Sequence, residues 1–377
     1  MAKSFLKTSA RGVRAMARPG IMKIIPYVGG RSVDEMERLY GRRDFLKVAS
    51  NESPVGPSPR AMAALRSALR ETHLYPEQSY PLLKEGLARK FRVKPANIFL
   101  GDGTSEIIVL ACSAFLKPGD EAVMATPSFV MHEHGVVAAG AKLVGVPLRN
   151  WKLDLPAMAR AVNRRTRMVF VCNPNNPTGT IVIAREVEEF LRSLPGNLLV
   201  VFDEAYAEFC NDRRFPDTLS YVRRNLRVLV LRTFAKIAGL AGLRVGYAFG
   251  APEIVDVLDR LRQPFNVNML AYRAAAAAVG DRAWEARTRA VVRTGRKFLA
   301  REFVRMGLET IPSQANFVMV RVGDGPSFTQ KLIREGIIVR PLPTKMAKPF
   351  VRVTVGTMPQ NRRVVRAFRT VLSRSSS

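Results

Sequence analysis

Lys236 stands five residues beyond the apolar run VLVL (228–231) and opens a glycine-rich turn, KIAGLAGLR (236–244), that closes on Arg244. Other apolar runs also end in reactive residue types. IFL (98–100) leads into GDGTSE (101–106), MVFVC (168–172) into NPNNPTGT (173–180), and NLLVVF (197–202) into DEAYAEF (203–209). A lysine between an apolar strand and a tight turn is partly desolvated, which lowers its pKa from ~10.4 and frees the amine for a Schiff base. An ordinary surface lysine fits the same position. Asp203 at the end of a buried strand is costly without a cationic partner, either a structural ion pair or a protonated ring nitrogen. In GDGTSE the glycines permit a tight turn, and the free N–H groups of Thr104, Ser105 and Glu106 suit an anion. A plain helix start accounts for that segment equally well.

One cofactor requires all of these parts together. Pyridoxal phosphate needs a lysine amine, a carboxylate against its pyridine nitrogen, donors around its ring oxygen and an anion site for its phosphate. On that reading Lys236 supplies the amine, and the glycine turn brings Arg244 back as the phosphate clamp.

These residues need a scaffold that gathers strand ends. From about residue 98 the chain alternates short apolar runs with amphipathic helical patterns such as 104–116 and 184–194; further runs are AVM (122–124), KLVGV (142–146) and VGYAF (245–249). Strands apolar throughout, alternating with helices, predict an α/β fold with a mostly parallel sheet covered on both faces. Ligands of such sheets bind beyond the carboxyl ends of the strands. After QPFNVN (263–268) a long helical segment runs to about 306, followed by the strand-like NFVMVRV (316–322), GIIVRPL (336–342) and FVRVTVG (350–356). With 377 residues, the chain exceeds what one core usually serves. The organisation expected is an N-terminal arm (1–44), a large cofactor-binding domain (45–263) and a smaller α+β C-terminal domain (264–377).

Composition narrows the class. Hydrophobic content of 47% and charged content of 24% are ordinary for a globular protein, and no apolar run reaches the ~20 residues of a membrane helix. The net charge of +29 would suit a nucleic-acid binder, but the arginines are spread along the chain without a binding motif. A basic surface suited to anionic substrates is the simpler account. Cys112, Cys172 and Cys210 lie far apart in apolar segments, as expected of reduced thiols in the cytoplasm. His132 and His134 lack the spacing and companions of a zinc site, so no metal is expected. Lys3, Lys7, Arg11, Arg14 and Arg18 form a basic stripe, read as a cytoplasmic extension, with an organelle transit segment as the alternative.

With its motifs taken in order, the chain resembles the fold-type I pyridoxal-phosphate aminotransferases of class I and II, and within them those acting on L-histidinol phosphate. The likeness runs from IIPYVGG (24–30) through ASNESPVGPSP (49–59), YP (75–76), GDGTSE, TPSF (126–129), NPNNPTGT, VFDEAY (201–206) and RTFAKIAGLAGLRVGY (232–247) to VRVTVGT (351–357). The resemblance implies that Lys236, Asp203 and Tyr206 are catalytic. Asn176 and Tyr206 would bond the ring oxygen, Phe129 would stack on the ring, and Thr104, Ser105, Thr233 and Arg244 would hold the phosphate. Tyr75 would reach the phosphate of a partner subunit, making a homodimer with shared sites. Asn51, Arg352, Arg340 and Tyr27 would contact substrate. It implies amino transfer from L-histidinol phosphate to 2-oxoglutarate by ping-pong kinetics, in histidine biosynthesis. Aromatic amino-acid transamination and threonine-phosphate decarboxylation remain alternatives on the same scaffold. The chain departs from the family at Ala235, where serine is usual, at Asp102, where asparagine is common, and at Ser53 and Val55 in the first motif.

Overall fold

The structure, a computed structural model, describes residues 10–18, 20–26 and 29–374. In chain order the strands are β1 (Leu46–Lys47), β2 (Ile98–Gly101), β3 (Glu121–Thr126), β4 (Lys142–Pro147), β5 (Thr166–Cys172), β6 (Leu199–Asp203), β7 (Val228–Thr233), β8 (Gly246–Gly250), β9 (Thr310–Ile311), β10 (Phe317–Arg321), β11 (Ile337–Ile338), β12 (Arg340–Pro341) and β13 (Phe350–Thr354). Every apolar run of the alternating region becomes a strand of one seven-stranded sheet, in the order β2-β8-β7-β6-β5-β3-β4. All pairings are parallel except the two made by β8.

Alternation of side chains across the pleat explains why these strands carry no polar face. Met168, Phe170, Leu199, Val201, Leu229 and Leu231 pack on one side of the sheet. Their neighbours Val169, Val171, Val200, Phe202, Val228 and Val230 pack on the other. Both faces are covered by helices, so each residue contributes the ~1.5–3 kcal/mol of a fully buried aliphatic or aromatic side chain. Polar residues appear only where the strands leave this layer. The carboxyl ends of β2, β5, β6 and β7 emerge along one edge, because β8 runs antiparallel to both β2 and β7.

A second sheet, β12-β13-β10-β9, is antiparallel throughout. Its core joins Val318, Val320, Val351 and Val353 to Leu299 and Phe303 of the helix Arg282–Arg305 and to Val364 and Phe368 of the helix Met358–Ser373. The structure corrects two expected boundaries. The helix Met269–Val279 belongs to the core of the large sheet, through Ala271, Tyr272, Ala274, Ala275 and Val279, so the large unit does not end at 263. Its alanines allow close packing on the helix Pro59–Ala68, a tertiary cause that local periodicity does not reveal. Within the expected arm, Met36 packs in one cluster with Ile333 and Ile338; just beyond it, Phe45 joins that cluster and β1 pairs with β11. Most of the basic stripe from Lys3 to Arg18 lies outside the described residues or in the short helix Ala10–Met16.

The turn after Lys236 depends on one of its glycines. Gly239 has φ +72°, and a Cβ there would lie 2.3 Å from the Gly56 carbonyl oxygen and 2.7 Å from Pro57 N. Backbone cannot yield to that contact as a flexible side chain could. Gly242 has nothing within 4 Å of such a Cβ. We predict that Gly239→Ala destabilises the protein by at least ~2 kcal/mol, whereas Gly242→Ala stays within ~0.5 kcal/mol. Urea denaturation of both variants checks this; equal midpoints would contradict it.

Candidate active site

A cavity of about 450 Å³ opens at the carboxyl edge of the large sheet, where the small unit meets it. Its floor carries Asp203, Cys172 and Thr233 from the strand ends, and its rim carries Thr104, Ser105 and Arg244. Asn51, Arg340 and Arg352 line it from the other side, with Lys236, Asn176, Tyr206 and Phe129 between. Every expected site residue within the described parts lines this cavity except Tyr75. Tyr27 lies outside the described residues.

Lys236 donates from Nζ to the Ser50 carbonyl at 3.2 Å and sits 5.8 Å from the Tyr206 ring centroid. Burial, reinforced by the Arg352 and Arg244 guanidinium groups, lowers its pKa from 10.5 to about 8; Glu52 and Asp203 oppose the shift. The amine is therefore available as nucleophile and proton acceptor near neutrality, as the strand-to-turn position suggested.

Asp203 is 2% exposed. His132 Nε2 donates to its Oδ2 at 3.0 Å, and the backbone N–H of Ala205 donates to its Oδ1 at 3.1 Å. The His132 ring stacks on Phe170 (centroids 4.5 Å, 15° between planes) and meets Phe129 edge-on. Among the described residues its buried Nδ1 has no hydrogen-bond partner. His132, which holds Asp203, was not among the site residues expected from the sequence. Its signal is its place three residues after Phe129 of the TPSF motif, one turn into the helix Val130–Ala138.

The anion cradle forms at the start of the helix Gly103–Phe115. Gly103 has φ +70°, and a Cβ on it would lie 2.6 Å from Arg244 Nη2, so a side chain there would be strained and would displace the guanidinium from the helix start. Thr233 Oγ1 accepts from Ala235 N at 3.0 Å, which orients the hydroxyl beside this cradle. Asp102 is exposed and absent from the cavity lining, so its charge does not face the cradle directly. Its backbone N–H instead donates to Glu106 Oε2 at 2.6 Å.

A polar network joins the two units across the cavity. Arg352 donates to Asn176 Oδ1 (2.5 Å) and the Ala49 carbonyl (2.9 Å). Asn176 and Asn51 both donate to the Tyr206 hydroxyl, at 3.4 and 2.9 Å, and Thr354 Oγ1 donates to Asn51 Oδ1 at 3.2 Å. Burial pushes the Tyr206 phenol up to about 12, against the pull of Arg352 and Asn51, so it remains a hydrogen donor. Asn51 adopts φ 55°, a region asparagine tolerates better than most residues.

These groups fit pyridoxal phosphate. Lys236 could offer the amine, Asp203 the carboxylate for the ring nitrogen, Tyr206 and Asn176 the donors for the ring oxygen, and the cradle the phosphate site. Tyr75 stands apart: it is 79% exposed and stacks on Phe265 (centroids 4.5 Å) rather than lining the cavity.

The lowered pKa can be tested without turnover. In cofactor-free protein, the rate at which an amine-modifying reagent labels Lys236, followed by peptide mass spectrometry, should rise with a midpoint near pH 8. A midpoint at the ordinary lysine value would refute the account of its burial.

Comparison with known proteins agrees with this geometry. Histidinol-phosphate aminotransferase of Moorella thermoacetica is 44% identical over 358 residues, covering 94% of this chain and 93% of its own. Histidinol-phosphate aminotransferase 2 of Pseudomonas fluorescens is 43% identical over 364 residues, covering 96% and 98%. Among solved structures, histidinol-phosphate aminotransferase of Sinorhizobium meliloti in complex with pyridoxal-5'-phosphate superposes with a TM-score of 0.88 at 28% identity, covering 96% of this chain and 99% of that one. The model of the aminotransferase class I and II family matches residues 43–368. The chain belongs to the aminotransferases of class I and II.

Proposed function

We propose that this pyridoxal-phosphate aminotransferase takes the amino group of L-histidinol phosphate and delivers it to 2-oxoglutarate, a step of histidine biosynthesis. The observation that carries the reading is the pairing of two arginines, Arg340 and Arg352, with Lys236 in one cavity of about 450 Å³. A guanidinium binds a phosphate or a carboxylate through the same fork. One site can thus hold a phosphorylated amine in one half-reaction and an acidic keto acid in the other. Relatives at 40–44% identity over nearly the whole chain bear the histidinol-phosphate aminotransferase name.

Bound pyridoxal phosphate would supply an electron sink for the carbanion formed at the substrate carbon. Asp203 would hold its pyridine nitrogen protonated, with His132 fixing the carboxylate. Lys236, about half neutral near pH 8, would move the proton from the substrate carbon. Tyr206 and Asn176 would donate to the ring oxygen, Phe129 would cover the ring, and Arg244, Thr233, Thr104 and Ser105 would hold the phosphate. Arg352 is already aligned by Asn176 and the Ala49 carbonyl, so little ordering is lost when it takes up an acidic group.

The enzyme would act as a cytoplasmic homodimer. The exposed Tyr75, unused in its own cavity, would complete the phosphate site of the partner. The three cysteines are free thiols, as a reducing compartment requires, and no helix among the described residues is long and apolar enough to cross a membrane.

Three experiments test this reading. Ranking amino donors by kcat/KM with 2-oxoglutarate should place L-histidinol phosphate first; a tenfold preference for phenylalanine, or release of carbon dioxide from threonine phosphate, would overturn it. Lys236→Ala should lower kcat by at least ~10²–10⁴-fold, the span supplied by a positioned proton-transfer group. The third experiment concerns Ala235, which lines the cavity beside Thr233. A hydroxyl there can donate to the cofactor phosphate, and such charge-assisted bonds contribute ~1.5–3 kcal/mol. Ala235→Ser should therefore tighten pyridoxal phosphate about tenfold in a titration of cofactor-free protein, since ~1.4 kcal/mol is one decade. Equal dissociation constants would show that the missing hydroxyl has no consequence.

A further inference from the structure

The net charge of +29 is not explained by the active site. On the helix Arg282–Arg305, Arg289, Arg293, Arg296, Lys297 and Ala300 recur at helical spacing and share one face. That face does not project freely into water. It forms one wall of a cleft with two adjoining lobes, of about 520 and 560 Å³, which share Asn211 and Arg293. The opposite wall is the segment 207–215 of the large unit, and the lower lobe is closed by residues 310–314. No residue lining either lobe lines the active-site cavity.

Arg296 distinguishes this cleft from an incidental patch of surface cations. It is only 7% exposed. Its guanidinium donates to the Ala315 carbonyl at 2.8 Å, the Phe209 carbonyl at 3.3 Å and Gln314 Oε1 at 3.4 Å. All three acceptors are neutral, and burial lowers its pKa from 12.5 to about 10. A buried guanidinium without a counter-charge is costly, and a protein seldom keeps one without an anion to meet it. Arg293 and Lys297, both exposed on the same face, have no ion-pair partner among the described residues. Their charges add to that of Arg296 at the lower lobe.

The acidic groups of the cleft do not neutralise it. Asp212 is held by the guanidinium of Arg214, at 3.0 and 2.7 Å. Glu208 lines the upper lobe and not the lower one, which holds Arg296 and Lys297, and burial raises its pKa. Arg289 is satisfied by Glu285, and Arg232 by Glu204. What remains is a metabolite-sized recess with three cations that have no carboxylate partner among the described residues, and the neutral polar side chains of Asn211, Ser313 and Gln314.

The geometry points to a second ligand site in this cleft, separate from the active site, that binds a small multiply charged oxyanion through Arg293, Arg296 and Lys297. Its ligand is a phosphate-bearing or polycarboxylate small molecule, because those groups match a guanidinium fork backed by a lysine.

The test uses enzyme saturated with pyridoxal phosphate, at constant ionic strength set with chloride. Inorganic pyrophosphate and citrate are titrated separately by calorimetry, which tells phosphoryl from carboxylate recognition. At least one should bind saturably and raise the melting temperature by linkage. The exposed pair Arg293→Gln with Lys297→Gln should weaken that binding about tenfold or more, with kcat and KM unchanged. Absence of saturable binding by both probes would overturn the proposal. So would equal affinity in wild type and the double variant, which would place the anion in the active site.

Discussion

The structure turns on a carboxylate kept at the dry end of a central strand. Asp203 and Glu204 are consecutive and both buried, yet the fold treats them in opposite ways. Glu204 receives Arg232 at 2.7 Å and the Thr218 hydroxyl at 2.7 Å, so its charge is answered within the protein. Among the described residues Asp203 receives only a histidine and a backbone N–H, and it lines the cavity. A carboxylate removed from water without a full cationic partner is tolerable when a ligand brings the missing charge. A protonated pyridine nitrogen would supply that charge, and we propose that the position beside Asp203 is kept for it.

The other groups follow from the same balance. Arg244, Arg340 and Arg352 line the cavity that contains Asp203, and the first and last of these push the Lys236 proton off. The field that disfavours a charged lysine also favours anions, so one arrangement of arginines would serve binding and proton transfer together. Tyr206 accepts from Asn51 and Asn176, which come from segments 125 residues apart that only the assembled cavity brings together. Neither unit alone contains a complete site.

Much of this was legible in sequence because the chemistry sits at strand ends. Apolar runs marked each strand of the large sheet, and the residues following IFL, MVFVC, NLLVVF and VLVL proved to line one cavity. What escaped was whatever depends on contacts distant in sequence. The reversed direction of β8 has no local signature, since an apolar strand reads alike either way. His132 was weighed with His134 as a metal ligand, because its partner Asp203 lies 71 residues away. The helix Met269–Val279 was assigned to the wrong unit, since alanine content does not tell which neighbour it packs against. Gly239 and Gly242 look alike in the motif, yet only the first meets another backbone.

The central claim is that Asp203 is reserved for a protonated ring nitrogen. The most direct measurement is the nitrogen-15 chemical shift of the pyridine nitrogen in labelled pyridoxal phosphate bound to the protein. The account predicts a protonated nitrogen in the wild type across neutral pH and a neutral nitrogen in Asp203→Asn. A neutral nitrogen in the wild type, or the same shift in both proteins, would contradict it.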